Sequence, residues 1–337
     1  MWNEDRLNQK LTSPSKKLME DMSEISGDII ILGAGGKMGP TLAILAKNAI
    51  KAVKGNNKVI AVSRFTDPVV TNLMKEHGIE TISVDLLKPG AFEKLPDAAN
   101  VIYMAGRKFG TDGQEAQTWA MNTWLPTLVA EKYKHSKIVV FSSGNIYPMM
   151  SVNAGASENV SPSPVGEYAM SCLGRERMFE YASKEYGTEV FMYRLNYAVD
   201  LRYGVLHDIA ANIMKENPVS LTATAFNCIW QGDANEMALR GLLHTGCPPV
   251  KMNITGPETV SVRYAAMELS KWLGKEPIWV GEEASFALLN NSALAMETFG
   301  YPTVSLKTLI RWQAEWILAG GRSLGKPTHF EEREGKY

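Results

Sequence analysis

The sequence is poor in the residues that staple, metallate or anchor a protein. Its 337 residues include three cysteines, Cys172, Cys228 and Cys247, an odd number with no C-x-x-C pair. That excludes a disulfide framework and leads us to expect a reducing, cytoplasmic compartment. The histidines (His77, His135, His207, His244 and His329) lie far apart with no H-x-x-x-H spacing, so no metal site is expected. No apolar run approaches the roughly 20 residues of a membrane span. The N-terminal stretch MWNEDRLNQKLTSPSKKLMEDMSEISG is polar and lacks an apolar core, so it is not expected to be a signal peptide. A net charge of -1 gives no basic face for nucleic acid. No internal repeat or low-complexity tract is evident.

What remains is an ordinary globular composition, long enough for one large or two moderate domains. Residues 1–27 read as a helical extension, with Ser13 or Ser15 capping its second helix. From Asp28 onward, short apolar runs alternate with amphipathic ones. DIIIL (28–32), KVIAV (58–62), ETISV (80–84), NVIYMA (100–105), KIVVFS (137–142) and TEVFMYR (188–194) read as buried parallel strands, being nearly continuous in hydrophobicity. The segments between them have helical length. This alternation predicts an α/β fold, a doubly wound parallel sheet over 28–195, with ligands at the carboxyl edge. Residues 196–320 read as a smaller α+β region that is mainly substrate-binding, with 228–245 packing back on the first domain. Residues 321–337 read as an extended, charged tail.

The strongest local signal is DIIILGAGGKMGPTLAILAKNAIK. A strand runs into Gly33, Gly36 and Gly39, and a helix starts there. Gly33 permits a sharp turn, Gly36 a close approach to a pyrophosphate, and Gly39 tight helix–strand packing. Lys37 and Met38 lie in the same turn, whose free N–H groups and dipole favour an anion. Ser63 and Arg64 end the second strand where an acid would read the ribose of NAD. Arginine suits a 2′-phosphate, so NADP is favoured, with NAD possible. Asp85, after the third strand, is placed to contact adenine or to cap a helix. Ala105 and Gly106 follow the fourth strand at the same edge.

The glycines, Asp85, Asn122, SSGNIY (142–147) and Tyr168 occur in an order that resembles the extended short-chain dehydrogenase/reductases, the NAD(P)-dependent nucleotide-sugar epimerases and dehydratases. The resemblance spans residues 28–318 or so, and it implies a Rossmann domain. It gives Ser143 the role of the catalytic serine, which bonds the reacting oxygen. It gives Tyr168 the role of general acid or base, and Asn122 a supporting role. The helices bearing Asn122 and Tyr168 form the dimer interface in many relatives, so a homodimer is expected, with Trp119, Trp124, Met178 and Phe179 as candidate contacts.

The chain also departs from that pattern. The family's lysine, four residues after the tyrosine, holds the nicotinamide ribose and lowers the tyrosine pKa. Here Cys172 stands in its place and brings no positive charge. Lys108 or Arg107, in the loop AGRKFGTDG, could supply the cation, and Lys108 is preferred. Arg175 lies about 10.5 Å along the helix axis and matches the position poorly. Gly144 and Asn145 replace the acidic pair of the dehydratases. Tyr197 stands where asparagine is usual, with Asn196 one place early. Asn145, Asn196, Tyr197, Arg202, Tyr203 and Trp230 are candidates for a remodelled substrate site, although an arginine and aromatics of this kind also serve as surface and core residues. The expected function is hydride transfer on a sugar-derived small molecule. The alternative is a dinucleotide-binding sensor or scaffold with little catalysis.

Overall fold

The computed structural model describes residues 2–336. Seven strands form the central sheet: β1 (Ile29–Leu32), β2 (Val59–Ser63), β3 (Glu80–Ser83), β4 (Asn100–Tyr103), β5 (Lys137–Ser143), β6 (Val190–Leu195) and β7 (Val250–Ile254). Their spatial order is β7-β6-β5-β4-β1-β2-β3, and every pairing is parallel. The six strands expected from the sequence are all present. The seventh comes from KMNIT, within the segment read as mainly substrate-binding, so the second region donates an edge strand to the first. β3 closes the other edge and is only partly covered, so its residues are the least buried of the sheet.

Helices cover both faces. On one face, Ile29 and Ile31 pack with Leu42, Leu45, Ala46 and Ala49 of α3 (Gly39–Ala52) and with Ala234, Met237 and Ala238. On the other, Ile30, Leu32, Val101 and Tyr103 meet Leu125, Val129 and Phe179. Phe179 lies in α4 (Gly166–Tyr186), which ends on Gly187 in the left-handed conformation (φ 71°) that glycine adopts without strain. The chain order reverses between β1 and β4. Their carboxyl ends therefore open a crevice, the place where ligands bind in such sheets.

The longer helices of the C-terminal half are α5 (Val205–Lys215), α6 (Gln231–Arg240), α7 (Val262–Leu273) and α8 (Leu306–Leu318). Ser261 and Ser305 cap α7 and α8 through their side chains. The N-terminal extension forms two helices, Glu4–Thr12 and Lys16–Glu24, with Ser15 capping the second. Leu7 and Leu11 enter the core around α5, α7 and α8, while Leu18 and Met22 enter the sheet core, so this extension ties the two regions together.

A buried polar network fixes the strands nearest the site. Arg194 on β6 pairs with Glu176 of α4 at 2.7 Å and donates to the Tyr147 hydroxyl at 2.6 Å. Ser142 donates to the other Glu176 oxygen, and Tyr147 donates to Asn253 on β7. Four elements are thus locked by bonds made in low dielectric, where an unpaired member is costly.

Candidate functional site

The glycine turn has the geometry its sequence suggests. Gly33 has φ +94°, and a Cβ there would fall 2.5 Å from the Ala105 backbone N. A Cβ on Gly39 would come within 2.2 Å of the Ala34 carbonyl oxygen, so this position serves helix–strand packing and is buried. A Cβ on Gly36 would meet only the Gly33 oxygen, at 3.5 Å. Glycine at 36 is therefore not demanded by the protein's own packing. It keeps clear a space at the N-terminus of α3, whose first N–H groups have no side-chain cap. Gly33, Gly36, Ser63, Arg64, Asp85, Ala105 and Gly106 line one cleft there of about 250 Å³. These residues fit a dinucleotide with its pyrophosphate on the helix. Arg64 is exposed at the cleft rim beside Ser63, and Asp85 bonds the Leu87 N–H while lining the wall.

A second cleft of about 340 Å³ shares Gly33, Gly36 and Gly106 with the first. It brings together Lys37, Met38, Lys108, Ser143, Asn145, Tyr168, Asn196 and Tyr197, residues spread over 160 positions of sequence. Ser143 is the last residue of β5, and its hydroxyl accepts from the Asn145 N–H at 3.1 Å. Tyr168 sits in the first turn of α4. Its phenol lies near enough to the Ser143 hydroxyl and the Cys172 thiol for both to act on its ionisation. Asn196 lines the cleft with its amide committed to Asn290 at 2.8 Å. Tyr197 is held at φ +44°, a strained conformation for a bulky residue, and lines the same wall.

Two candidates are elsewhere. Arg202 is buried in a salt bridge to Asp200 at 2.6 Å and reaches Glu4 at 2.9 Å, which anchors the N-terminal helix. Trp230 is in the core, with its ring 5.7 Å from that of Trp312. Neither lines the cleft; each found a partner that the sequence pattern did not reveal. Tyr203, Phe109, Gln231 and Thr328 do line it. Of these, Thr328 was the hardest to foresee, because the tail folds back across the molecule. Gly144 lies against the Asn290 side chain: a Cβ there would meet its Oδ1 at 2.4 Å, so a larger residue would have to displace that amide from its bond with Asn196.

The groups around Tyr168 form a defined electrostatic setting. Cys172 is fully buried against Ile146, Tyr147 and Ala156, and burial pushes its thiol pKa up, so it stays neutral. Burial, and next the Cys172 sulfur, push the Tyr168 phenol well above its ordinary range; Ser143 and Arg175 act in the opposite direction. Arg175 is buried beneath the site, donating to the Phe141 carbonyl at 2.6 Å and to Asn122 at 2.8 Å. Asn122 lies in a π-helical turn (Ala120–Trp124) and also bonds the Arg107 backbone, which holds the 106–108 loop in place. From that loop Lys108 brings its Nζ 5.6 Å from the centre of the Tyr168 ring. Burial lowers the Lys108 pKa to about 8, against the Cys172 sulfur, which raises it. Lys108, expected from the sequence as the stand-in cation, is thus beside the tyrosine, over the ring face.

A glycine turn at the first crossover and a serine–tyrosine pair across the same carboxyl edge define a dinucleotide-binding short-chain dehydrogenase/reductase of the extended type. Residues 29–204 match the model of the NAD dependent epimerase/dehydratase family, and the chain belongs to that family. No curated protein matches the chain. Solved structures with the same fold include UDP-glucuronic acid 4-epimerase from Bacillus cereus in complex with NAD, at 19% identity and TM-score 0.72, covering 88% of this chain and 99% of that one. UDP-glucose 4-epimerase from Thermotoga maritima, with UDP-glucose, is similar at 17% identity and TM-score 0.71, with 87% and 99% covered. The Thermus thermophilus UDP-glucose 4-epimerase complex with NAD is similar at 18% identity and TM-score 0.69, with 86% and 98% covered.

Proposed function

We propose that this protein is an NAD(P)-dependent oxidoreductase or epimerase acting on a sugar or sugar-derived substrate. One observation carries the reading: the Ser143 hydroxyl and the Tyr168 phenol line the same wall of a cleft that is continuous with the glycine turn, with the serine placed to favour the phenolate. Bound nicotinamide would supply the hydride-transferring carbon there. Tyr168 takes the proton from a substrate hydroxyl, or returns it to a carbonyl, as hydride moves. Ser143 donates to the same oxygen. The Lys108 ammonium favours the phenolate in place of the absent lysine, with Arg175 adding positive charge from below. Arg64 gives the preference for NADP over NAD by pairing with the 2′-phosphate. Three free thiols suit a cytoplasmic setting. Trp124, Met170 and Tyr181, exposed on the helices that carry Asn122 and Tyr168, are the proposed homodimer face, whereas Phe179 is core.

A second reading, binding with little catalysis, is favoured by the raised Tyr168 pKa. Titrating the protein with NADPH and NADH, then screening sugars and sugar acids at the nicotinamide absorbance band, separates the two. The preference for NADP requires NADPH to bind at least tenfold tighter than NADH, with the gap closing in Arg64→Ala. The catalytic reading requires turnover that falls at least a hundredfold in Tyr168→Phe. Cofactor binding with no turnover on any sugar supports the second reading, and binding of neither cofactor below millimolar concentration refutes both.

A further inference from the structure

The glycine turn contains a lysine whose side chain does not follow its backbone toward the dinucleotide cleft. Lys37 turns into the catalytic cleft, with its Nζ 3.4 Å from the centre of the Tyr203 ring and 4.7 Å from that of Phe109. Lys108 approaches the same Phe109 ring at 5.5 Å. Two ammonium groups thus share one aromatic ring in a cleft whose lining contains no carboxylate. The charged groups that act on Lys37 come from three elements: Lys108 in the loop after β4, Lys326 in the tail, and Asp208 on α5. Asp208 is partly engaged already, since it accepts from the Thr328 N–H at 2.8 Å and the Thr328 hydroxyl at 2.6 Å.

The tail that holds Asp208 also borders the cleft, through Thr328. His329 lies against the Phe109 ring at 5.8 Å, and Phe330 is buried with its ring 6.4 Å from that of Phe226. Arg333 donates to the carbonyls of Thr222 and Phe286. Gly335 meets Gly166 so closely that a Cβ on it would lie 2.4 Å from the Val165 carbonyl oxygen. Beyond Tyr197, the space between Phe226, Phe330 and Arg333 is only about 10 Å³, room for about one water. A substrate attached to a bulky second group has no space on that side.

We propose that Lys37 and Lys108, bordered by the C-terminal tail, form a subsite for the carboxylate of a compact sugar acid that carries no nucleotide. The inference deepens the proposed function and rests on its assignment of this cleft to substrate. An anion between the two ammonium groups offsets their mutual repulsion and their loss of water, which a neutral sugar could not do. Burial, with Lys108 and Lys326, lowers the Lys37 pKa to about 7 against Asp208, so the empty site is partly deprotonated near neutrality. Anion binding must therefore raise that pKa and take up protons at pH 7.5.

The test is calorimetric titration of the full chain, apo and NADPH-saturated, at pH 7.5 in two buffers of different ionisation enthalpy. The probes are D-glucuronate, D-galacturonate, D-gluconate and D-galactonate, with D-glucose, D-galactose, sorbitol and UDP-glucose for comparison. At least one acid is expected to bind at millimolar concentration or better with proton uptake, while the neutral sugars and UDP-glucose bind at least tenfold more weakly. Lys37→Met should reduce acid affinity at least tenfold more than NADPH affinity and remove most of the proton uptake, leaving the smaller share of Lys108, and Lys37→Arg should restore acid binding. The inference is overturned if no acid binds, if a neutral sugar or UDP-glucose binds as well as the acids, or if the Lys37→Met loss falls on NADPH alone, which would make this lysine a pyrophosphate ligand. Failure of both NADPH and NADH to bind would instead refute the proposed function, and the apo titrations would still decide the subsite.

Discussion

If Lys108 replaces the lysine that Cys172 displaced, removing its charge must make Tyr168 harder to ionise. The perturbation is Lys108→Met, which keeps an unbranched apolar stem of similar length. Two unit charges at the observed 5.6 Å, in an effective dielectric of about 20, interact by about 3 kcal/mol, roughly a hundredfold in the phenolate population. Ultraviolet difference titration of tyrosinate, referenced to Tyr168→Phe, reads the ionisation without needing the substrate. With a substrate in hand, kcat/KM at pH 7 should fall by the same factor. Because the Lys108 pKa is lowered to about 8, its cation is fully present below that pH and lost above it. Wild type should therefore lose activity as pH rises through 8, and Lys108→Met should not show that loss. If the variant changes the phenolate population less than threefold at each pH, Lys108 is not the stand-in, and the buried Arg175 is the remaining cation acting on the tyrosine.

The glycine turn separates packing from ligand space. Gly39→Val should destabilise the fold severely by driving a side chain into the Ala34 carbonyl, whereas Gly36→Val should retain the wild-type melting temperature and lose at least tenfold in NADPH affinity. Breaking the Arg194–Glu176 pair by Glu176→Gln should cost about 3–5 kcal/mol in denaturant unfolding, since it leaves a buried guanidinium without its counter-charge; a loss under 1 kcal/mol would show that water reaches the network. Iodoacetamide at pH 8 should label one cysteine, the exposed Cys247, because Cys172 and Cys228 are buried and burial raises the pKa of both thiols. Rapid labelling of Cys172 would contradict its assignment as a neutral packing residue.

Local pattern was enough to specify much of this protein. Buried parallel strands need apolar side chains on both faces, so β1, β2, β4, β5 and β6 could be read as continuous runs. The glycines at 33, 36 and 39 could be read because backbone geometry at a strand-to-helix turn leaves few other uses for them. Ser143 and Tyr168 were legible through their order along the chain, which carries the family pattern, and Cys172 was visible as a departure from it. Lys108 could be named from the sequence as a candidate cation near Tyr168, but its placement had no such signal. Lys108, Lys37 and Thr328 meet in one cleft only because a loop, a turn and a tail far apart in sequence converge there. For the same reason Arg202 and Trp230 resembled site residues and proved to be structural, since a side chain's partners are set by packing across the molecule. The sequence by itself determined the sheet and the glycine turn, both of which rest on short-range geometry, and it marked Ser143 and Tyr168 as a candidate pair. Only the tertiary structure decided which charges surround that pair and how much space the substrate has, because both depend on contacts between residues that the chain keeps apart.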